Sequence, residues 1–140
     1  MPDRFQVSSR ATGVRRTLDV WVYDDVEAMR AAARRFFPEH AYLTTGACCQ
    51  IPGYRFPRPA GPWFGIIRYF RGQLDTETIV HEIAHAAMEI YFADCTSWDS
   101  RTRAHFRGDN EAIAYLVGEL ASRVTQGMRR AGIRTELETP

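Results

Sequence analysis

The chain has 140 residues, 45% of them hydrophobic and 25% charged, with a formal net charge of +1. That balance excludes a polyanion coat, a polybasic membrane tail and a disordered chain, and no run approaches the roughly 20 apolar residues that span a bilayer. The length fits one domain, 1–140, with about 15 N-terminal and about 6 C-terminal residues expected to be loose.

Residues 16–23 (RTLDVWVY) set Leu18, Val20 and Val22 against Asp19, Trp21 and Tyr23, the alternation of a strand. Asp24 or Asp25 can cap a helix over 26–37, whose apolar positions are Val26, Met29, Ala33, Phe36 and Phe37 and which Pro38 ends. Residues 41–51 read as a second strand, irregular at Gly46. Residues 52–62 hold four prolines and two glycines and form a loop. Residues 63–70 (WFGIIRYF) are the most strand-like run, and 71–73 make a turn. A strong helix covers 76–92, capped by Asp75 or Thr76, with Ile79, Val80, Ile83, Ala84, Ala87, Ile90 and Tyr91 as its apolar face. Residues 93–107 are polar and irregular. A second long helix covers 108–130, capped by Asp109, with Ile113, Leu116, Val117, Leu120 and Val124 as its core stripe. The predicted order β-α-β-β-α-α is an α+β domain with its helices on one face of a small sheet.

All eighteen basic residues are arginines, so no lysine is available as a Schiff-base or general-base group. Residues 1–10 lack the apolar core of a secretory signal. Cys48, Cys49 and Cys95 form an odd, sparse set that fits free thiols in a reducing, cytoplasmic setting; without C-x-x-C spacing, a thiolate metal site is the weaker reading.

His81-Glu82-Ile83-Ala84-His85 is an H-E-x-x-H motif inside the first long helix. Composition alone gives roughly 0.007 chance occurrences in such a chain. Residues i and i+4 share a helical face, so both imidazoles can bind one cation. Zinc accepts imidazole and carboxylate ligands and keeps one position for water, from which a neighbouring Glu can take a proton. A third ligand must come from elsewhere. Glu111, 26 residues after His85 in the first turn of the second helix, is the leading candidate, and His105 is its rival. Asp94, Asp99 and Asp109 are weaker, and Glu119 lies two turns too far along. Met88 and Tyr91 stand where H-E-x-x-H-x-x-G-x-x-H needs Gly and His, which disfavours the metzincins.

The pair His-Glu-Ile-Ala-His and Asn-Glu-Ala-Ile-Ala resembles the gluzincin zinc metallopeptidases, the thermolysin-like clan, over about residues 65–120. The resemblance implies a zincin-like fold with one Zn2+ held by His81, His85 and Glu111, and with Glu82 as catalytic base acting on a peptide or protein substrate. The chain is too short for a two-domain thermolysin-like enzyme. It is closer to minimal gluzincins and to the small metallopeptidases that cleave phage-type repressors. A Spartan-like protease is the option if His105 is the ligand, although no zinc ribbon is visible. The resemblance also implies that the strand before the metal helix is an edge strand binding extended substrate through Gly65, Ile66, Ile67 and Arg68. Tyr115, His105 and Tyr91 are candidates for stabilising the oxyanion.

His40 reads as a solvated loop histidine. The Arg-aromatic run Tyr54-Arg55-Phe56-Pro57-Arg58 could stack on single-stranded nucleic acid, but near-neutral charge favours an ordinary packed loop. No nucleic-acid or membrane partner is expected. The sequence therefore points to a zinc-dependent metallopeptidase. The alternative is a zinc-binding structural, toxin-like or phage accessory protein with a zincin fold and no peptidase activity.

Overall fold

The computed structural model describes residues 2–39, 42–52, 61–95 and 111–136, the side chains of Cys95 and Glu111 excepted. Strand β2 (Arg16–Tyr23) and strand β4 (Trp63–Phe70) occupy the residues that their β-branched and aromatic runs predict, and they pair in parallel. Leu18, Val20 and Val22 lie in register with Gly65, Ile67 and Tyr69, so both strands present one apolar face to the same side. Strand β1 (Asp3–Ser9) pairs antiparallel with β2, and strand β3 (Ala47–Gln50) antiparallel with β4. The four-stranded mixed sheet has the order β1-β2-β4-β3.

The N-terminal segment is thus not loose. Phe5, Val7 and Ser9 alternate with Arg4, Gln6 and Ser8, and Val7 and Ser9 are buried. Gly13, at φ 88°, supplies the left-handed residue of the turn into β2. The strand expected over 41–51 shortens to four residues. Tyr42, at φ 54°, lies in the left-handed region and breaks the extended chain ahead of Gly46. At the other end, Thr135 is buried and the Glu136 carboxylate accepts a hydrogen bond from the Thr76 backbone N–H at 2.7 Å. Residues 135 and 136 are therefore held down, and 137–140 lie outside the described residues.

Helix α1 spans Val26–Phe36, α2 Thr76–Cys95 and α3 Glu111–Arg130. The α2 N-terminus is fixed by Asp75, whose carboxylate accepts from the Thr78 N–H at 2.7 Å. Helices α2 and α3 pack together on one sheet face, as expected. Ile79, Ile83 and Ile90 from α2 and Leu116, Leu120 and Val124 from α3 share a core with Leu18, Val20, Ile67 and Tyr69. Helix α1 corrects the one-face expectation, for it lies on the opposite side. The Gln50 amide donates to the Ala33 carbonyl at 2.9 Å, and the Arg68 guanidinium lies over the Phe36 ring. Parallel strands need a crossover, and the chain leaving β2 enters it through α1. Among the described residues no helix is long and apolar enough to cross a membrane.

Candidate metal centre and cleft

The wide apolar face of α2 is buried from Ile79 to Ile90, which turns positions 81 and 85 outward. His81 and His85 are exposed, with ring centroids 4.7 Å apart and Nε2 atoms 3.1 Å apart. Two nitrogens bound tetrahedrally to one zinc at 2.0–2.1 Å stand roughly 3.3 Å apart. The observed separation, also within hydrogen-bonding distance, lies within a few tenths of an ångström of that spacing.

Glu82 is one step round the helix from His81 and shares a cleft with His85. Its carboxyl is buried and opens into a cleft of about 500 Å³ between α2 and β3. Desolvation pushes its pKa above the ordinary carboxylate value, and neighbouring His81 partly opposes the rise. Cys49, Gln50 and Ile51 form the β3 wall, and His85 and Glu89 continue the helix wall. Glu89 was not among the sequence candidates, although its i+4 spacing from His85 places it on the same face. The Cys48 and Cys49 thiols are free. Burial pushes Cys48 up to about 12 and raises Cys49 as well, so both thiols are held neutral by desolvation. The Cys95 side chain lies outside the described set.

The expectation that Gly65, Ile66, Ile67 and Arg68 form an edge strand is corrected. They lie in β4, which is hydrogen-bonded by β2 on one side and β3 on the other. A strand with both edges occupied cannot add a substrate strand. Arg68 is buried instead, donating from Nε to Gln50 Oε1 at 2.7 Å and from Nη1 to the Tyr23 hydroxyl at 2.6 Å. Gly65 lets β3 approach closely, since a Cβ there would stand 2.6 Å from the Gln50 carbonyl oxygen and 2.4 Å from Ile51 Cδ1. Gly65→Ala is expected to cost roughly 1–3 kcal/mol by overpacking. Denaturant unfolding measures the cost, and faster amide exchange confined to β3 locates it. Among the described residues the sheet edge beside the H-E-x-x-H helix belongs to β3, whose outer side pairs with no strand.

Among the described residues no third His, Cys, Asp or Glu joins the imidazole pair. Glu111 is the first residue of α3, but its side chain lies outside the described set, as do His40, Asp99, His105, Asp109 and residues 54–58. Asp94 is removed from the ligand candidates because Arg16 and Thr12 engage its carboxylate. Glu119 lies 3.7 Å from Arg123 on α3. Tyr115 is 68% exposed and does not line the cleft, whereas Tyr91 is buried in the core.

No protein-family model, no curated protein and no solved structure matches the chain.

Proposed function

We propose that the chain is a zinc-dependent metallopeptidase of minimal, zincin-like build that hydrolyses peptide or protein substrates. One observation carries this reading. Two imidazole nitrogens sit 3.1 Å apart on α2, and the carboxylate between them in sequence faces a cleft beside β3, a sheet edge that no strand covers among the described residues. His81 and His85 would hold the metal, with Glu111 as third ligand and His105 as its rival. When bound, zinc would supply a Lewis acid that polarises a peptide carbonyl and makes water easier to deprotonate. Glu82 takes the proton from the attacking water and passes it to the leaving amine. Its burial suits the task, because a carboxylate removed from water is a stronger base. The outward backbone groups of Ala47–Gln50 can pair with an extended substrate, in the role first expected of residues 65–68.

Chelation followed by dialysis against zinc is expected to restore about one equivalent of metal, and His81→Ala or His85→Ala to lose it. Absence of zinc uptake by the parent chain ends the proposal. Stoichiometric zinc with no cleavage across a panel of unfolded protein substrates selects the alternative, a zinc-binding protein without peptidase activity.

A further inference from the structure

The opposite edge of the sheet carries a second cleft of a different character. A groove of about 500 Å³ lies between β1 and the C-terminal half of α3, and it shares no lining residue with the His85–Glu89 cleft. Four arginines line it: Arg4 and Arg15 from the β1–β2 side, Arg123 and Arg130 from α3, all exposed. Among the described residues no carboxylate lines it. Nor, among those residues, do Arg15 and Arg130 form an ion pair. Arg4 lies over the Trp21 ring at 5.4 Å, and Arg123 has only a loose pairing with Glu119 at 3.7 Å. The helix dipole accounts for one of the four, since Arg130 is in the last turn of α3. Arg4 and Arg15 are not on that helix at all.

Beside these charges runs the outer edge of β1. Its inner edge is taken by β2, and among the described residues no backbone group pairs with the outer one. Gly127 lets α3 close onto this strand, since a Cβ there would stand 2.2 Å from the Phe5 ring. The helix thus forms one wall of the groove. A row of unpaired main-chain groups beside a one-signed charge field has two complementary requirements, an extended backbone and carboxylates.

We propose that this groove takes an acidic, extended segment of a partner protein, which adds to β1 as an outer strand and sets its carboxylates against Arg4, Arg15, Arg123 and Arg130. A peptide satisfies both the backbone edge and the charges. A nucleic-acid strand satisfies only the charges, and the chain as a whole carries +1.

The probes are an alternating Glu-Val peptide and an alternating Glu-Pro peptide of equal length and charge, titrated against the full chain by fluorescence anisotropy. Amide hydrogen exchange is read in parallel. The Glu-Val peptide is expected to bind, to slow exchange of alternate β1 amides, and to weaken as the Debye length falls toward about 10 Å near 0.1 M salt. The Glu-Pro peptide keeps only its Glu backbone donors, and its prolines hold φ at about −65°, away from the antiparallel strand, so it is expected to bind roughly tenfold more weakly or worse. Combining Arg15→Glu with Arg130→Glu is expected to reduce Glu-Val binding at least roughly tenfold, while zinc uptake is unchanged. Equal binding of the two peptides, no protection of β1, or tighter binding of a single-stranded DNA oligonucleotide of the same charge overturns the proposal.

Discussion

Glu82→Gln is expected to retain about one zinc and to lower peptide hydrolysis by roughly 10²–10⁴-fold, the usual contribution of a positioned general base. The amide keeps the shape of the side chain and so leaves the cleft wall between α2 and β3 in place. It also leaves His81 and His85 untouched, so metal loss and base loss are separated in one variant. What it removes is the group proposed to accept a proton in the cleft. The loss should fall on kcat with KM little changed, because Glu82 is asked to act in the transition state rather than to hold substrate. The measurement is kcat/KM on an unfolded protein substrate beside metal analysis of the same preparation. Peptidase activity near the parent level with zinc bound would remove Glu82 from the mechanism. A further comparison, Glu89→Gln, tests whether the cleft depends on one carboxylate or two. Glu89 lines the same wall one turn beyond His85, so the expected change there is in KM and not in kcat.

The parts of this molecule that the sequence displays are those fixed by neighbouring residues. Asp75, Glu77 and the isoleucines at 79, 83 and 90 specify α2 locally, and once α2 exists the i, i+4 spacing brings His81 and His85 together. The alternation in residues 16–23 likewise gives β2 its bounds. Strand β4 was visible as a strand, but its place in the sheet depends on pairings with β2 and β3 that no local pattern encodes. One signal was present. An apolar run broken only by Gly65 and Arg68 belongs to a strand buried on both faces, and such strands lie inside sheets. β1 was obscured for the opposite reason. Its alternation is present, but only Phe5 and Val7 are apolar, and its support comes from α3, more than a hundred residues away, where Gly127 meets Phe5. The β3 wall of the candidate site was hidden by the same kind of distance. Cys49, Gln50 and Ile51 line one cleft with Glu82 only because β3 occupies the sheet edge beside α2, an outcome of strand order and not of spacing. The face occupied by α1 depends in turn on how the crossover from β2 is made.

The second large effect concerns what holds α2 against the sheet. Asp94 lies in the last turn of α2, where the helix dipole disfavours an anion, and its side chain is only 2% exposed. Such a carboxylate is tolerable because its partners are close. Arg16 donates from Nη2 at 2.5 Å and from Nε at 3.0 Å, and the Thr12 hydroxyl donates at 2.7 Å. Arg16 in turn lies over the Phe64 ring. The pair therefore ties the β1–β2 connection to the far end of the helix that carries the H-E-x-x-H motif. Asp94→Ala leaves a largely covered guanidinium without its counter-charge and is expected to cost roughly 3–5 kcal/mol. That is a large part of the roughly 5–15 kcal/mol that stabilises a domain, and it lowers Tm by roughly 10 °C or more. Replacing both partners by apolar residues, Arg16→Met with Asp94→Leu, should cost far less than the sum of the single changes, because no buried charge remains unpaired. Additive losses in a double-mutant cycle would show that the pair does not act as a unit. The same double variant tests the ligand assignment. If Asp94 is wholly engaged by Arg16 and Thr12, the folded double variant still takes up about one zinc. Loss of zinc from that folded protein would return Asp94 to the candidate ligands.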